Sequence, residues 1–187
     1  NLCAGSIVSL QEPESTAFVT VNKINNSGDS SHVIMSSNPQ LSFDSNMYFV
    51  GTNHLWWIEK ENVFSGGELT THGERIVLRD FNSGKYMSID LNGKVTVVIN
   101  RAECAVFELI PAQQTVGSCY QENSAVYLYS SQGGGWIAVP TVLRTPREES
   151  EGVAEVRAPN PAAMTSLKRG SIFEASTVIF GSSCFVV

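Results

Sequence analysis

The sequence predicts an all-β fold: a β-trefoil with pseudo-threefold symmetry, followed by a short C-terminal helix. Three observations carry that reading. One hairpin pattern occurs three times, further alternating runs follow each copy, and an aromatic residue stands at the same place in each: Phe18, Tyr86 and Trp136.

The hairpin is clearest in "RIVLRDFNSGKYMSID", Arg75 to Asp90, where two alternating runs flank the turn Asn82-Ser83-Gly84. Its inward candidates are Ile76, Leu78, Tyr86 and Ile89. Moving back 68 positions gives Val8, Leu10, Phe18 and Val21, and moving forward 50 gives Val126, Leu128, Trp136 and Val139, so every residue class is kept. The turns differ in sequence but share turn chemistry: Pro13-Glu14-Ser15-Thr16 in the first copy and Gln132-Gly133-Gly134-Gly135 in the third.

A third run follows each hairpin, "HVIM" from His32, "KVTVV" from Lys94 and "VAEV" from Val153. A fourth follows as "LWWIE", Leu55 to Glu59, and "VFELI", Val106 to Ile110, with "MTSL", Met164 to Leu167, the candidate in the third copy. The units, at about 5–59, 73–110 and 123–170, are each too small to bury an apolar face alone, so they share one core in a domain spanning 1–170. Closing six strands into a barrel capped by three hairpins removes the open sheet edges. A β-sandwich is the competing arrangement, but gives no reason for Phe18, Tyr86 and Trp136 to recur; in the trefoil these three form the core symmetry set at the pseudo-threefold axis.

The segments Ser36 to Asn46 and "TPREESEGVAE", from Thr145, read as solvated loops. Past Gly170, Ser171 and Glu174 have the S-x-x-E spacing of a capping box, which predicts a helix within 171–187 that Gly181 ends. The alternative is a twelfth strand, since "SIFEA" also resembles "AVFEL".

With 187 residues, 42% hydrophobic and 16% charged, the chain can bury a core of ordinary domain size. Its net charge of −6 offers no broad positive field for nucleic acid or an anionic membrane, and neither partner is expected. No apolar stretch has the roughly 20 residues that span a bilayer, and the amino end lacks a signal-peptide layout. The chain starts at Asn1 without an initiator Met, as expected for a piece excised from something longer. Cys3, Cys104, Cys119 and Cys184 form no C-x-x-C pair and read as reduced thiols in a cytosolic protein, with two disulfides the alternative.

No residue set points to catalysis, so the chain is not expected to be an enzyme, nor to hold a metal or any cofactor. His32, His54 and His72 have no carboxylate or thiol at ligand spacing. G-x-S-x-G, P-loop and G-x-G-x-x-G motifs are absent. Glu148, Glu149 and Glu151 read as a solvated acidic loop, and Gly133-Gly134-Gly135 as a turn. The pairs Arg144/Arg147 and Lys168/Arg169 are the basic concentrations, and Asn25-Asn26-Ser27 is a glycosylation sequon.

The run from Leu55 to Asp90 resembles the MIR-type β-trefoil of the inositol trisphosphate receptor and ryanodine receptor superfamily, on Leu55-Trp56-Trp57-Ile58-Glu59, Gly73, Ile76, Leu78-Arg79 and Ser83-Gly84-Lys85-Tyr86. "AGSIVSL", from Ala4, is similar to that family's opening strand, and "EASTVIFGSS", from Glu174, to the first helix after the trefoil, where a helical domain begins. The resemblance implies a ligand-binding and gating module of an intracellular calcium-release channel, on the cytosolic face of the endoplasmic or sarcoplasmic reticulum. Its partners would be neighbouring domains and subunits of a homotetramer, and this piece would not touch the membrane directly.

By the same resemblance the ligand loop after "HVIM" consists of Ser36, Ser37, Asn38 and Gln40. The family's two arginines are missing there and Pro39 replaces its Gly, so strong inositol trisphosphate binding is not expected. The alternative is a MIR domain as in protein O-mannosyltransferases or their luminal relatives, binding sugar or protein. Free cysteines would favour the channel; disulfides, or glycan at Asn25, would favour the lumen. A third possibility is a free lectin-like or cytoskeletal trefoil.

Overall fold

The computed structural model describes residues 1–14, 16–22, 32–36, 42–43, 49–50, 54–62, 67–71, 73–113, 117–121, 123–130, 132, 135–137, 154–155 and 171–179. Within these, side chains are not described at 22, 32, 34–36, 42–43, 49–50, 154–155 and 178–179. Repeat one contributes β1 (Ile7–Gln11), β2 (Phe18–Asn22), β3 (His32–Ser36), the short pair β4 (Ser42–Phe43) and β5 (Phe49–Val50), and β6 (Leu55–Lys60). Repeat two contributes β7 (Arg75–Asp80), β8 (Tyr86–Ile89), β9 (Val95–Val98) and β10 (Phe107–Pro111). Repeat three contributes β11 (Ser124–Ser130), β12 (Gly135–Trp136), β13 (Ala154–Glu155) and β14 (Phe173–Ile179).

Six strands close an antiparallel barrel in the order β1, β6, β7, β10, β11, β14 and back to β1. Each gives two residues to the interior: Val8 and Leu10, Trp56 and Ile58, Ile76 and Leu78, Phe107 and Leu109, Val126 and Leu128, Phe173 and Ala175. Every one is buried, as period-2 alternation requires when one face of a strand meets the core. Burying a Leu, Ile, Val or Phe side chain is worth about 1.5–3 kcal/mol, so twelve inward positions carry most of the barrel's stability. The hairpins β2–β3 and β8–β9 lie over one end, and Trp56 fastens the first of them by donating its Nε1–H to the carbonyl of Val19 at 2.9 Å.

The other end is closed by a ring of backbone hydrogen bonds. Leu2 donates to Tyr120 at 2.7 Å, Tyr120 to Leu69 at 2.9 Å, and Leu69 back to Leu2 at 2.9 Å. Three pseudo-equivalent segments thus satisfy one another's polar groups around the symmetry axis, while their side chains plug the barrel.

The hairpin registers bear out the offsets of 68 and 50, since Gln11, Arg79 and Tyr129 pair with Phe18, Tyr86 and Trp136 respectively. The core symmetry set does not lie where the alternation placed it. Phe18, Tyr86 and Trp136 are only half-buried, whereas the next residues, Val19, Met87 and Ile137, are each 1% exposed and belong to the core. A shift of one residue turns every side chain to the opposite face, and both members of each adjacent pair are apolar, so hydrophobicity alone does not choose between them. Val21 is buried as expected, Ile89 is partly buried, and Val139 lies outside the described residues.

The C-terminal helix is overturned as well. Phe173–Ile179 is a strand, paired with β1 through Leu10↔Ala175 and with β11 through Val126↔Phe173. Without it the barrel would have a gap between β11 and β1, and filling that gap outweighs a capping-box spacing. It is the fourth strand of repeat three, the place assigned to "MTSL", whose residues lie outside those described. Cys3 corrects the expectation of four thiols. It is disulfide-bonded, its partner outside the described residues, while Cys104 and Cys119 are free.

Candidate functional site

In the second strand of each hairpin the aromatic residue faces away from the core, because the one after it faces in. Phe18, Tyr86 and Trp136 are therefore three half-exposed rings at pseudo-equivalent places, each opposite the last outward residue of the preceding strand. Their surroundings differ.

In repeat one, Phe18 meets His54 edge-to-face, with centroids 5.4 Å apart. His54 is 5% exposed, its Nδ1 has no hydrogen-bond partner among the described residues, and burial pushes its pKa below the ordinary value. Gln11, the cross-strand neighbour, donates its Nε2–H to the carbonyl of Thr16 at 2.9 Å and so holds the turn.

In repeat two the guanidinium carbon of Arg79 lies 5.6 Å from the Trp57 ring centroid and 5.9 Å from that of Tyr86; Arg101 lies 5.9 Å from the Tyr86 ring. Both arginines reach the carboxylate of Glu59, Arg79 Nε at 3.0 Å from one oxygen and Arg101 Nε at 3.4 Å from the other. Arg101 spends its terminal groups on the carbonyls of Lys60 and Glu61, at 2.9 and 3.4 Å. Phe81 backs Trp57 at 5.7 Å.

In repeat three, Trp136 packs against Tyr129 at 5.0 Å and Tyr127 at 6.0 Å. The two tyrosines occupy the outward positions of β11, alternating with the inward Val126 and Leu128. This is the most aromatic of the three places, and it carries no ion pair among the described residues. Half-exposed rings with polar rims suit ligands that bring one apolar face and several hydroxyls or amides.

The loop named from resemblance is barely covered. Ser36 ends β3 opposite Phe18 in backbone register, and Ser37, Asn38 and Gln40 lie outside the described residues, as do Asn25, Gly133, Arg144, Arg147, Glu148, Glu149, Glu151, Lys168 and Arg169. Among the described residues no group of three or more His, Cys, Asp or Glu is placed to hold a metal ion. The Glu59, Arg79, Arg101 cluster was not anticipated. Alternation on β6 and β7 puts Trp57, Glu59 and Arg79 outward, but Arg101 arrives from the 3-10 turn Arg101–Glu103, far along the chain.

No family profile matches the sequence, and no curated protein is similar to it at a significant level. Solved structures are similar. A Caenorhabditis elegans protein of unknown function has 14% identity and a TM-score of 0.64, over 94% of this chain and 95% of that one. The SDF2-like protein from Arabidopsis thaliana has 14% identity and a TM-score of 0.64, over 96% and 97%. The Saccharomyces cerevisiae protein O-mannosyltransferase Pmt1-Pmt2 complex, bound to the sugar donor, has 11% identity and a TM-score of 0.67, over 94% of this chain and 25% of that one. At such identities the likeness concerns the fold alone, and the fold shared with these structures is the all-β trefoil.

Proposed function

We propose that this trefoil is a non-catalytic sugar-binding module of a protein in the secretory lumen, using the half-exposed rings at the hairpin bases. The observation that carries the reading is the threefold recurrence of an outward ring where the core needs none. A ring kept half in water at three equivalent positions costs apolar burial without adding to packing, which suits contact with a ligand. The disulfide at Cys3 supports the compartment, because such bonds persist where the environment is oxidising. The similar structures include an SDF2-like protein and a chain of a protein O-mannosyltransferase complex bound to its sugar donor, which supports this reading over a calcium-release channel. The channel reading keeps the Leu55 to Tyr86 motif, but its post-trefoil helix is a strand through Ile179, and its reduced cysteines include one that is oxidised.

Isothermal titration with a panel of neutral hexose oligosaccharides tests the proposal. Trp136→Ala is expected to weaken the best ligand by about tenfold or more, as loss of a central aromatic anchor does, with the melting temperature little changed. Absence of binding by the wild-type protein across the panel would count against it.

A further inference from the structure

Arg79 is set apart from the other basic residues around it. Lys60 is paired with Glu74 at 3.4 Å, Arg75 with Glu61 at 3.2 Å, and Arg101 is used by Glu59 and two carbonyls. The guanidinium of Arg79 is positioned by Trp57 and Tyr86, and its Nε lies 3.0 Å from Glu59 without the alignment of a hydrogen bond. Its two terminal amino groups have no partner among the described residues, and the side chain is 35% exposed. Two guanidiniums share the single carboxylate of Glu59, so the trio retains one net positive charge. This is a planar, pre-positioned donor fork beside a half-exposed ring.

We propose that Arg79 reads a carboxylate on the bound carbohydrate, making repeat two a subsite for an acidic sugar such as a uronic acid. The inference rests on the sugar-binding reading above and names the chemistry of one of its three places. A carboxylate fits two parallel N–H donors of one guanidinium, an arrangement a lysine cannot reproduce. The ring of Tyr86 beside the fork offers the sugar an aromatic surface. A peptide adding as a strand to the barrel itself is disfavoured, because each of the six barrel strands is already paired on both sides.

The test compares a glucuronic-acid-containing disaccharide with its neutral glucose counterpart by isothermal titration of the full chain at low salt. The acidic sugar is expected to bind about tenfold more tightly, the scale of one charge-assisted bidentate contact, and inorganic sulfate should compete for it. Arg79→Lys should abolish the preference by bringing the acidic sugar's affinity down to that of the neutral one, and Trp136→Ala should weaken both sugars while leaving the preference intact. Equal affinity for the two sugars in the wild-type protein would overturn the acidic subsite and leave the sugar-binding reading standing. Failure of both sugars to bind, when a broad neutral panel fails too, would remove both. An acidic peptide binding more tightly than the uronide, in an Arg79-dependent way, would also overturn the inference. Should Arg79→Lys melt early, sulfate competition on the wild-type protein decides the matter without it: no competition overturns the subsite.

Discussion

Leu2 donates its backbone N–H to the carbonyl of Tyr120 at 2.7 Å, joining the first residues of the chain to the segment that leads into the third repeat. With the bonds from Tyr120 to Leu69 and from Leu69 to Leu2 it completes a cycle around the pseudo-threefold axis. Leu2 and Tyr120 are also buried, at 1% and 0% exposure, so polar satisfaction and apolar burial coincide. Removing residues 1–4 should lower the stability of the whole trefoil by several kcal/mol, since it exposes buried surface and orphans a buried carbonyl. Tyr120→Phe, which loses only the 2.9 Å hydroxyl bond to the carbonyl of Leu109, should cost about 1–2 kcal/mol. Urea denaturation measures both.

The first two hairpins share a left-handed position. Gly84 has φ 69°, and Thr16, 68 residues earlier, has φ 56°. A β-branched residue is strained there by roughly 1–2 kcal/mol, and glycine is not. Thr16→Gly should therefore stabilise the protein by about 0.5–1 kcal/mol and Gly84→Ala destabilise it by about 1 kcal/mol, both read as shifts in the denaturation midpoint.

His54 makes stability pH-dependent. Burial holds its folded pKa below the ordinary 6.5, so the unfolded chain takes up the proton first as pH falls. Its contribution is fully present above pH 6.5 and is lost as pH drops through the window below that value. Thermal melts should fall more steeply with acidification in the wild-type protein than in His54→Gln, and the difference between them isolates this group from the carboxylates.

The side-chain register separates neighbours. Met87→Ala should cost about 2–5 kcal/mol, because it opens a cavity in the core, while Tyr86→Ala next to it should cost less than about 2 kcal/mol, the scale of a half-buried ring and its cation contacts. Phe173→Ala should cost about 3–5 kcal/mol if β14 closes the barrel, and chains ending at residue 170 should not unfold cooperatively.

Much of this architecture was legible in the sequence, for a physical reason. Barrel strands alternate inward and outward, so Val8, Ile76 and Val126 announce themselves, and equal offsets reveal three copies. The second strands were harder. Phe18-Val19, Tyr86-Met87 and Trp136-Ile137 are adjacent apolar pairs, and only the barrel's geometry decides which member turns in. The last strand is masked in the sequence because Ser171 and Glu174 imitate a helix cap, while the requirement for a twelfth strand is a property of the closed sheet. At the site, the outward tyrosines of β11 follow from alternation, but the union of Glu59 with Arg101 and the bond at Cys3 are tertiary facts with no local sign.

The central claim is that the recurring rings stand at the surface and serve a ligand. Fluorine NMR of the full chain labelled with 5-fluorotryptophan tests it most directly, since Trp56, Trp57 and Trp136 give three resonances. The account predicts a solvent isotope shift for Trp136 and none for the fully buried Trp56, and movement of the Trp136 resonance when a hexose oligosaccharide is added. A Trp136 resonance as shielded from solvent as that of Trp56, and unmoved by every sugar of the panel, would contradict it.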